Sequence, residues 1–191
     1  YYDRAYLTSL LQQLQQRVGP SPRLSLGCDF HLSFENMQAA LQTPERWCIA
    51  NTRYLLVEFN NFSIPTQIDD WLANMCTIEV TPIITHPERN PILQKTPERV
   101  LQWVAGGCAV QVTASALTGS WGDRAGQLAR QFMKKKAVHF LATDAHDTVR
   151  RPPILSQARK VVEKEYGAEV ARALVEENPA SVLANRTLKV F

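Results

Sequence analysis

Residues 53–86, RYLLVEFNNFSIPTQIDDWLANMCTIEVTPIITH, decide the fold. The run YLLV is apolar without polar alternation, the pattern of a strand buried on both faces. PTQIDDWLANM reads as a helix, and VTPIITH as a second buried strand. A strand, a helix and a strand at this spacing form a βαβ unit, whose strands lie parallel. The two strands stop on Glu58 and His86, and that detail governs the functional reading.

The alternation continues in both directions. Upstream, RLSLGCDFHL predicts a strand, and SFENMQAALQ a short helix capped by Ser33. Before them, Leu7, Leu10, Leu11 and Leu14 recur at helical spacing and Gly19-Pro20 provides the stop. Downstream, TPERVLQWVAGG predicts a helix with Thr96 as cap, Pro97 at its first position and glycines at its end. CAVQVTA is a strand, GDRAGQLARQFMKKK a helix and AVHFLATD the fifth strand. ILSQARKVVEKEYG and AEVARALVEEN are helical, and PASVLAN follows them. Five apolar strands alternating with helices predict an α/β fold with a parallel sheet, as one domain over 1–191. Strand number alone leaves a barrel and an open sheet both open.

Composition narrows the function classes. The 191 residues are 45% hydrophobic and 20% charged, with a formal charge of +3. Basic residues are scattered except at Lys134-Lys135-Lys136, which end a helix where positive charge suits the dipole. That pattern argues against a nucleic-acid partner. No run approaches the ~20 apolar residues of a membrane span. The opening residues lack the layout of a signal peptide. Cys28, Cys48, Cys76 and Cys108 form no C-x-x-C pair and read as reduced thiols of a cytoplasmic protein.

In parallel α/β folds the functional groups gather at the carboxyl ends of the strands. Asp29, Glu58, His86, and Asp144 with His146 stand at four such ends. Carboxylates with imidazoles are the donor set of a hard or borderline divalent metal. Cys28 precedes Asp29 and faces the opposite way, so both are not ligands. Each residue has a plainer reading: Glu58 in an ion pair, Asp144 as a turn cap, His86 as a turn residue before Pro87. The agreement of successive strand ends favours the metal. His31 and His139 lie within strand runs and read as structural. Arg89 follows His86 in HPER, and Arg150 and Arg151 follow His146. A guanidinium fork matches phosphate oxygens, so a metal flanked by arginines suggests a phosphoester substrate.

GCDFH, YLLVEF, PIITHPERN, QVTASALTGSWG and FLATDAHDTVRRPP, in this order, resemble the manganese-dependent tyrosine phosphatases of bacterial capsule and exopolysaccharide synthesis. These are a branch of the polymerase-and-histidinol-phosphatase (PHP) superfamily. The resemblance covers nearly the whole chain. It implies a distorted (β/α)7 TIM-like barrel holding up to three metals, Mn2+ foremost, with Fe, Mg or Zn as alternatives. By resemblance Asp29, Glu58, His86, Asp144 and His146 are metal ligands. Arg89 and Arg151 hold the phosphate, with His146 among the catalytic residues. Asp29 departs from the family's G-x-E by one methylene. The family's first strand ends in His-x-His before an acidic loop, and its second brings another histidine. This chain is expected to begin in the helix after those two units, roughly 60 residues in.

The expected reaction is hydrolysis of phosphotyrosine, on an autophosphorylated bacterial tyrosine kinase. Divalent metals bring the pKa of water toward ~7 for in-line attack. Phenolate, with a pKa near ~10, leaves with little help from an acid. Cysteine-based catalysis needs C-x5-R, and CIANTR from Cys48 to Arg53 is one residue short. Two rival readings stay open: a catalytically impaired barrel that binds phosphotyrosine or a kinase, and a PHP phosphoesterase of small phosphomonoesters. A homo-oligomer is compatible with either.

Overall fold

The computed structural model describes residues 3–191, with His31 by its backbone alone. Five strands form one parallel sheet in chain order: β1 (Phe30–His31), β2 (Tyr54–Glu58), β3 (Thr81–Thr85), β4 (Ala109–Thr113) and β5 (Phe140–Ala142). Val57 stands beside Phe30 and Ile84, Ile84 beside Val110, and Gln111 beside Phe140. Helix α1 (Arg4–Val18) precedes the sheet, and the helices between the strands are α2 (Phe34–Gln42), α3 (Ile68–Thr77), α4 (Pro97–Ala105), α5 (Ala114–Leu117) and α6 (Gly122–Lys134). α7 (Ser156–Tyr166) and α8 (Ala168–Arg172) follow; a π-helical turn, Ala173–Glu177, then leads into α9 (Asn178–Leu183).

Both faces of the sheet are covered, as continuous apolar strands require. Leu55, Val57, Ile84, Val110, Val112 and Leu141 point into the main core with Trp71, Leu72, Met75 and Phe132 from the helices. Their alternates Tyr54, Ile83, Ala109 and Phe140 form a smaller cluster against Val182 of α9. This two-residue alternation across a twofold-buried sheet fixes which strand residues can reach the carboxyl mouth.

Several local expectations change. Only Phe30–His31 of RLSLGCDFHL pairs as strand; Arg23 and Ser25 are exposed, and burial begins at Cys28 and Phe30. Ser33 caps α2, accepting from the Asn36 amide at 3.2 Å. Thr96 stands at the N-cap of α4, but its hydroxyl donates to the Ile92 carbonyl at 3.2 Å and caps nothing. PASVLAN is largely helical because Pro179 lies in the first turn of α9, where a missing N–H costs nothing. α1 buries no residue, and Leu10, Leu14 and Val18 are exposed. No helix among the described residues is long and apolar enough to cross a membrane.

Candidate metal and phosphate site

The carboxyl ends of β2, β3 and β5 carry two side-chain clusters. The first joins Glu58, the last residue of β2, and His86, just after β3, with Asp29, which precedes β1 instead of ending a strand as its sequence position suggests. His86 Nε2 is 3.3 Å from Glu58 Oε1. The hydrogen bond from His86 is the main reason the Glu58 carboxyl is held down to about 2. Asp29 is pushed up to about 6, first by burial and then by its hydrogen bond with Glu58 and the negative charge there. The two carboxyls are pushed apart in pKa, the usual outcome when like charges meet without a cation between them. Asp29, Glu58, Phe59 and Asn60 line a cavity of about 280 Å3 here. Cys28 turns into the core, whereas Asp29 is exposed as a residue with its carboxyl partly shielded from water.

His86 itself has φ 34°, ψ 51°, a left-handed conformation. It opens the 3-10 turn Pro87–Arg89, which carries Glu88 inward and Arg89 across the mouth. Glu88 is fully buried; its Oε1 accepts from the Thr113 amide at 2.9 Å, while Oε2 has no partner. Burial pushes this carboxyl up to about 7.

The second cluster centres on Asp144, after β5 and also left-handed, with φ 53°. Its Oδ2 accepts hydrogen bonds from both Arg89 Nη1 and Arg151 Nη2. Arg89 Nη1 also donates to Thr113 Oγ1 at 3.3 Å. His146 is more exposed, with Nδ1 3.0 Å from the Asp144 carbonyl and 3.9 Å from its Oδ1. Asp147 fixes the turn that delivers Arg151: its Oδ1 accepts from the amides of Val149, Arg150 and Arg151, which holds its carboxyl below the ordinary range. The clusters feel each other, since the charge of Asp144 raises Asp29 and that of Arg89 lowers Glu58.

The sequence-selected residues thus meet as Asp29–Glu58–His86 and as Asp144–His146 with Arg89 and Arg151. Among the described residues no three acid, histidine or cysteine side chains converge as a group that could hold a metal ion. The donor types fit a divalent cation: oxygen and imidazole donors adjoin, and a cation would offset the like charges of Asp29 and Glu58. Asp144, selected as a ligand, is engaged by the two arginines selected for phosphate. Sequence reasoning gave no role to Glu88, Thr113, Asp147 or Trp121. Trp121 sits between Gly119 and Gly122, both at positive φ, in the loop after α5, and its ring covers Arg89. The signal was a lone tryptophan in a glycine-bounded turn following a strand of the sheet. His139, read as structural, is buried with Nδ1 accepting from the Val110 amide at 3.2 Å; the side chain of His31 lies outside the described residues.

Comparisons with known proteins follow the same outline. CpsB of Streptococcus pneumoniae, a tyrosine-protein phosphatase, is 26% identical over 183 residues, covering 93% of this chain and 75% of its own length. The tyrosine-protein phosphatase CpsB of Streptococcus agalactiae is 34% identical over 140 residues, 71% of this chain and 58% of its own. A structure solved with YwqE of Bacillus subtilis and CpsB of S. pneumoniae, described as metal-dependent tyrosine phosphatases, superposes with TM-score 0.84 at 26% identity, over 98% of this chain and 76% of that one. Residues 3–184 match the family described as capsular polysaccharide synthesis, CpsB/CapC. The chain therefore belongs to the CpsB/CapC family of capsular polysaccharide synthesis.

Proposed function

We propose that this chain is the larger part of a metal-dependent protein-tyrosine phosphatase acting in capsule or exopolysaccharide synthesis. The observation that carries the reading is the adjacency of the Glu58–His86 pair and the Arg89–Arg151 pair at one sheet mouth. Asp29, Glu58, His86, Asp144 and His146 are the residues that would hold divalent cations, Mn2+ in first place. The bound cations would supply Lewis-acid activation of water and of the phosphoryl oxygens.

The chain's own groups do the rest. Arg89 and Arg151 grip the phosphoryl oxygens through N–H donors now engaged by Asp144, and neutralise charge as it grows on them. Glu58 keeps His86 oriented through its ring nitrogen, as carboxylate partners do for ligand imidazoles. His146, the more exposed imidazole, is also among the residues that would act in catalysis, and a histidine or water would supply the proton that the leaving phenolate collects. The substrate is a phosphotyrosine protein, an autophosphorylated kinase being the natural one for this family. Strands in unbroken chain order, with an inner cluster from Tyr54 to Phe140, support a TIM-like PHP barrel over a single domain, 1–191. Four free cysteines support a cytoplasmic setting.

The test is hydrolysis of p-nitrophenyl phosphate and a phosphotyrosine peptide with added Mn2+. Turnover that a chelator abolishes and Mn2+ restores supports the reading; chelator-resistant turnover removes it. A second reading, phosphotyrosine binding without turnover, draws on the hold that Arg89 and Arg151 have on Asp144. It predicts peptide affinity with no phosphate release at any metal concentration.

A further inference from the structure

Trp121 makes the tightest aromatic contact of the site and has no part in the chemistry described above. The Arg89 guanidinium carbon lies 3.6 Å from the centre of its ring, and that of Arg151 lies 5.6 Å away. At 3.6 Å the Arg89 guanidinium is in van der Waals contact with the indole face. The indole is itself fixed: Trp121 Nε1 donates to Ser115 Oγ at 2.9 Å, and the Ser120 amide donates to the Ser115 carbonyl at 2.9 Å. Trp121 is also 38% exposed, which is unusual for a residue so tightly engaged.

Asp144 and Trp121 hold Arg89 in different ways. A carboxylate holds a guanidinium by its in-plane N–H edge, the same edge a phosphoryl group needs. A ring holds it by its face and leaves every N–H free. The Nε of Arg89 is buried without a partner, so the edge is not fully used by the protein. Only a face-on holder keeps the guanidinium in position while its edge changes partners.

We propose that Trp121 is a positioning residue for anion binding: its indole holds Arg89, and more loosely Arg151, by the guanidinium face so that the N–H edges can accept a phosphoryl group. The proposal rests on the arginines being the phosphate grip assigned above.

The experiment uses the full chain and inorganic phosphate, with binding measured by calorimetry and KM and kcat for p-nitrophenyl phosphate measured with Mn2+. Trp121→Phe keeps a ring and should bind phosphate within about 3-fold of the parent. Trp121→Leu fills the space without a π face and Trp121→Ala leaves it open; each should weaken phosphate about 10-fold and raise KM more than it lowers kcat. Arg89→Ala is the control, and melting temperatures show that each variant is folded. Trp121→Leu binding phosphate as well as Trp121→Phe would reduce the indole to a space filler and overturn the proposal. Loss of binding in Arg89→Ala but not in Trp121→Ala also overturns it, and leaves the arginine grip standing. Unchanged binding in Arg89→Ala would overturn the grip itself, and the inference with it.

Discussion

The two ends of the sheet are built from the same strands and solve opposite problems. At the amino end the buried Asn178 donates from Nδ2 to the carbonyls of His139 (2.9 Å) and Lys189 (3.1 Å) and accepts from the Lys189 amide at 2.8 Å. Tyr54, 1% exposed, donates its hydroxyl to the Arg186 carbonyl at 2.5 Å, and the Arg53 amide donates to Asn185 Oδ1 at 2.9 Å. At the carboxyl end the acids Asp29 and Glu58 lie against each other with their pKa values pushed apart, and the fully buried Glu88 leaves Oε2 without a partner. Left-handed non-glycine residues, at on the order of 1–3 kcal/mol each, occur at both ends (Glu79, Lys136 and Asn185 at one, His86 and Asp144 at the other), so the side chains and not the backbone separate them. The amino end is where polar groups close the fold. The carboxyl end keeps polar groups at a cost to the fold, as reactive sites do.

The sharpest way to break this contrast is to cut each end once. His86→Ala should lower Mn2+-dependent hydrolysis of p-nitrophenyl phosphate by on the order of 10^3-fold, about 4 kcal/mol of barrier, with little change in melting temperature. Cys48→Ala, in the core, should keep the rate; equal losses would mean that the chemistry lies elsewhere. Asn178→Ala should do the reverse. It orphans two carbonyls and an amide, and urea unfolding should report a loss of about 3–5 kcal/mol. A stability change under about 1 kcal/mol would show that the amino end is not the clasp described here.

The sequence exposes these two ends unequally. β2 and β3 are legible because YLLV and PIIT are unbroken apolar runs of strand length, and their last residues mark the mouth directly. Glu58, His86 and Asp144 were therefore findable from strand position alone, whereas Asp29 precedes the strand it was expected to end. RLSLGCDFHL carries the same apolar signal, yet only two of its residues pair, because alternation says nothing about which neighbour supplies a ladder. The union of Asp144 with Arg89 and Arg151 was hidden for another reason. It joins segments after β3 and β5, and charge pairing at that separation follows from backbone placement that no local pattern encodes. Trp121 was hidden likewise, since an aromatic between two glycines looks like an exposed loop until Arg89 lies beneath it. Asn178 and Glu88 were missed because polar residues give no local sign of complete burial.

Glu88 and His139 sharpen the comparison through pH, with smaller effects of opposite sign. Both are buried titratable groups, one behind each end. The Glu88 carboxyl moves from 4.5 up to about 7 on folding, so the native state binds its proton more tightly than the unfolded chain does. Stability from this group is complete below 4.5 and is lost as pH rises to about 7. At 1.36 kcal/mol per unit the loss is at most about 3 kcal/mol. Glu88→Gln, which keeps the oxygen that accepts from Thr113, should flatten this slope, so that the variant gains on the parent above pH 7 and matches it near pH 4. His139 behaves in the other direction: burial lowers its pKa from 6.5, so its contribution is present above 6.5 and declines as pH falls below it. His139→Asn should remove that acid-side decline while leaving the Glu88 slope intact. Urea midpoints of the parent and both variants across pH 4–8 separate the two, and a single slope that responds to neither substitution would assign the pH dependence to the Asp29–Glu58 pair instead.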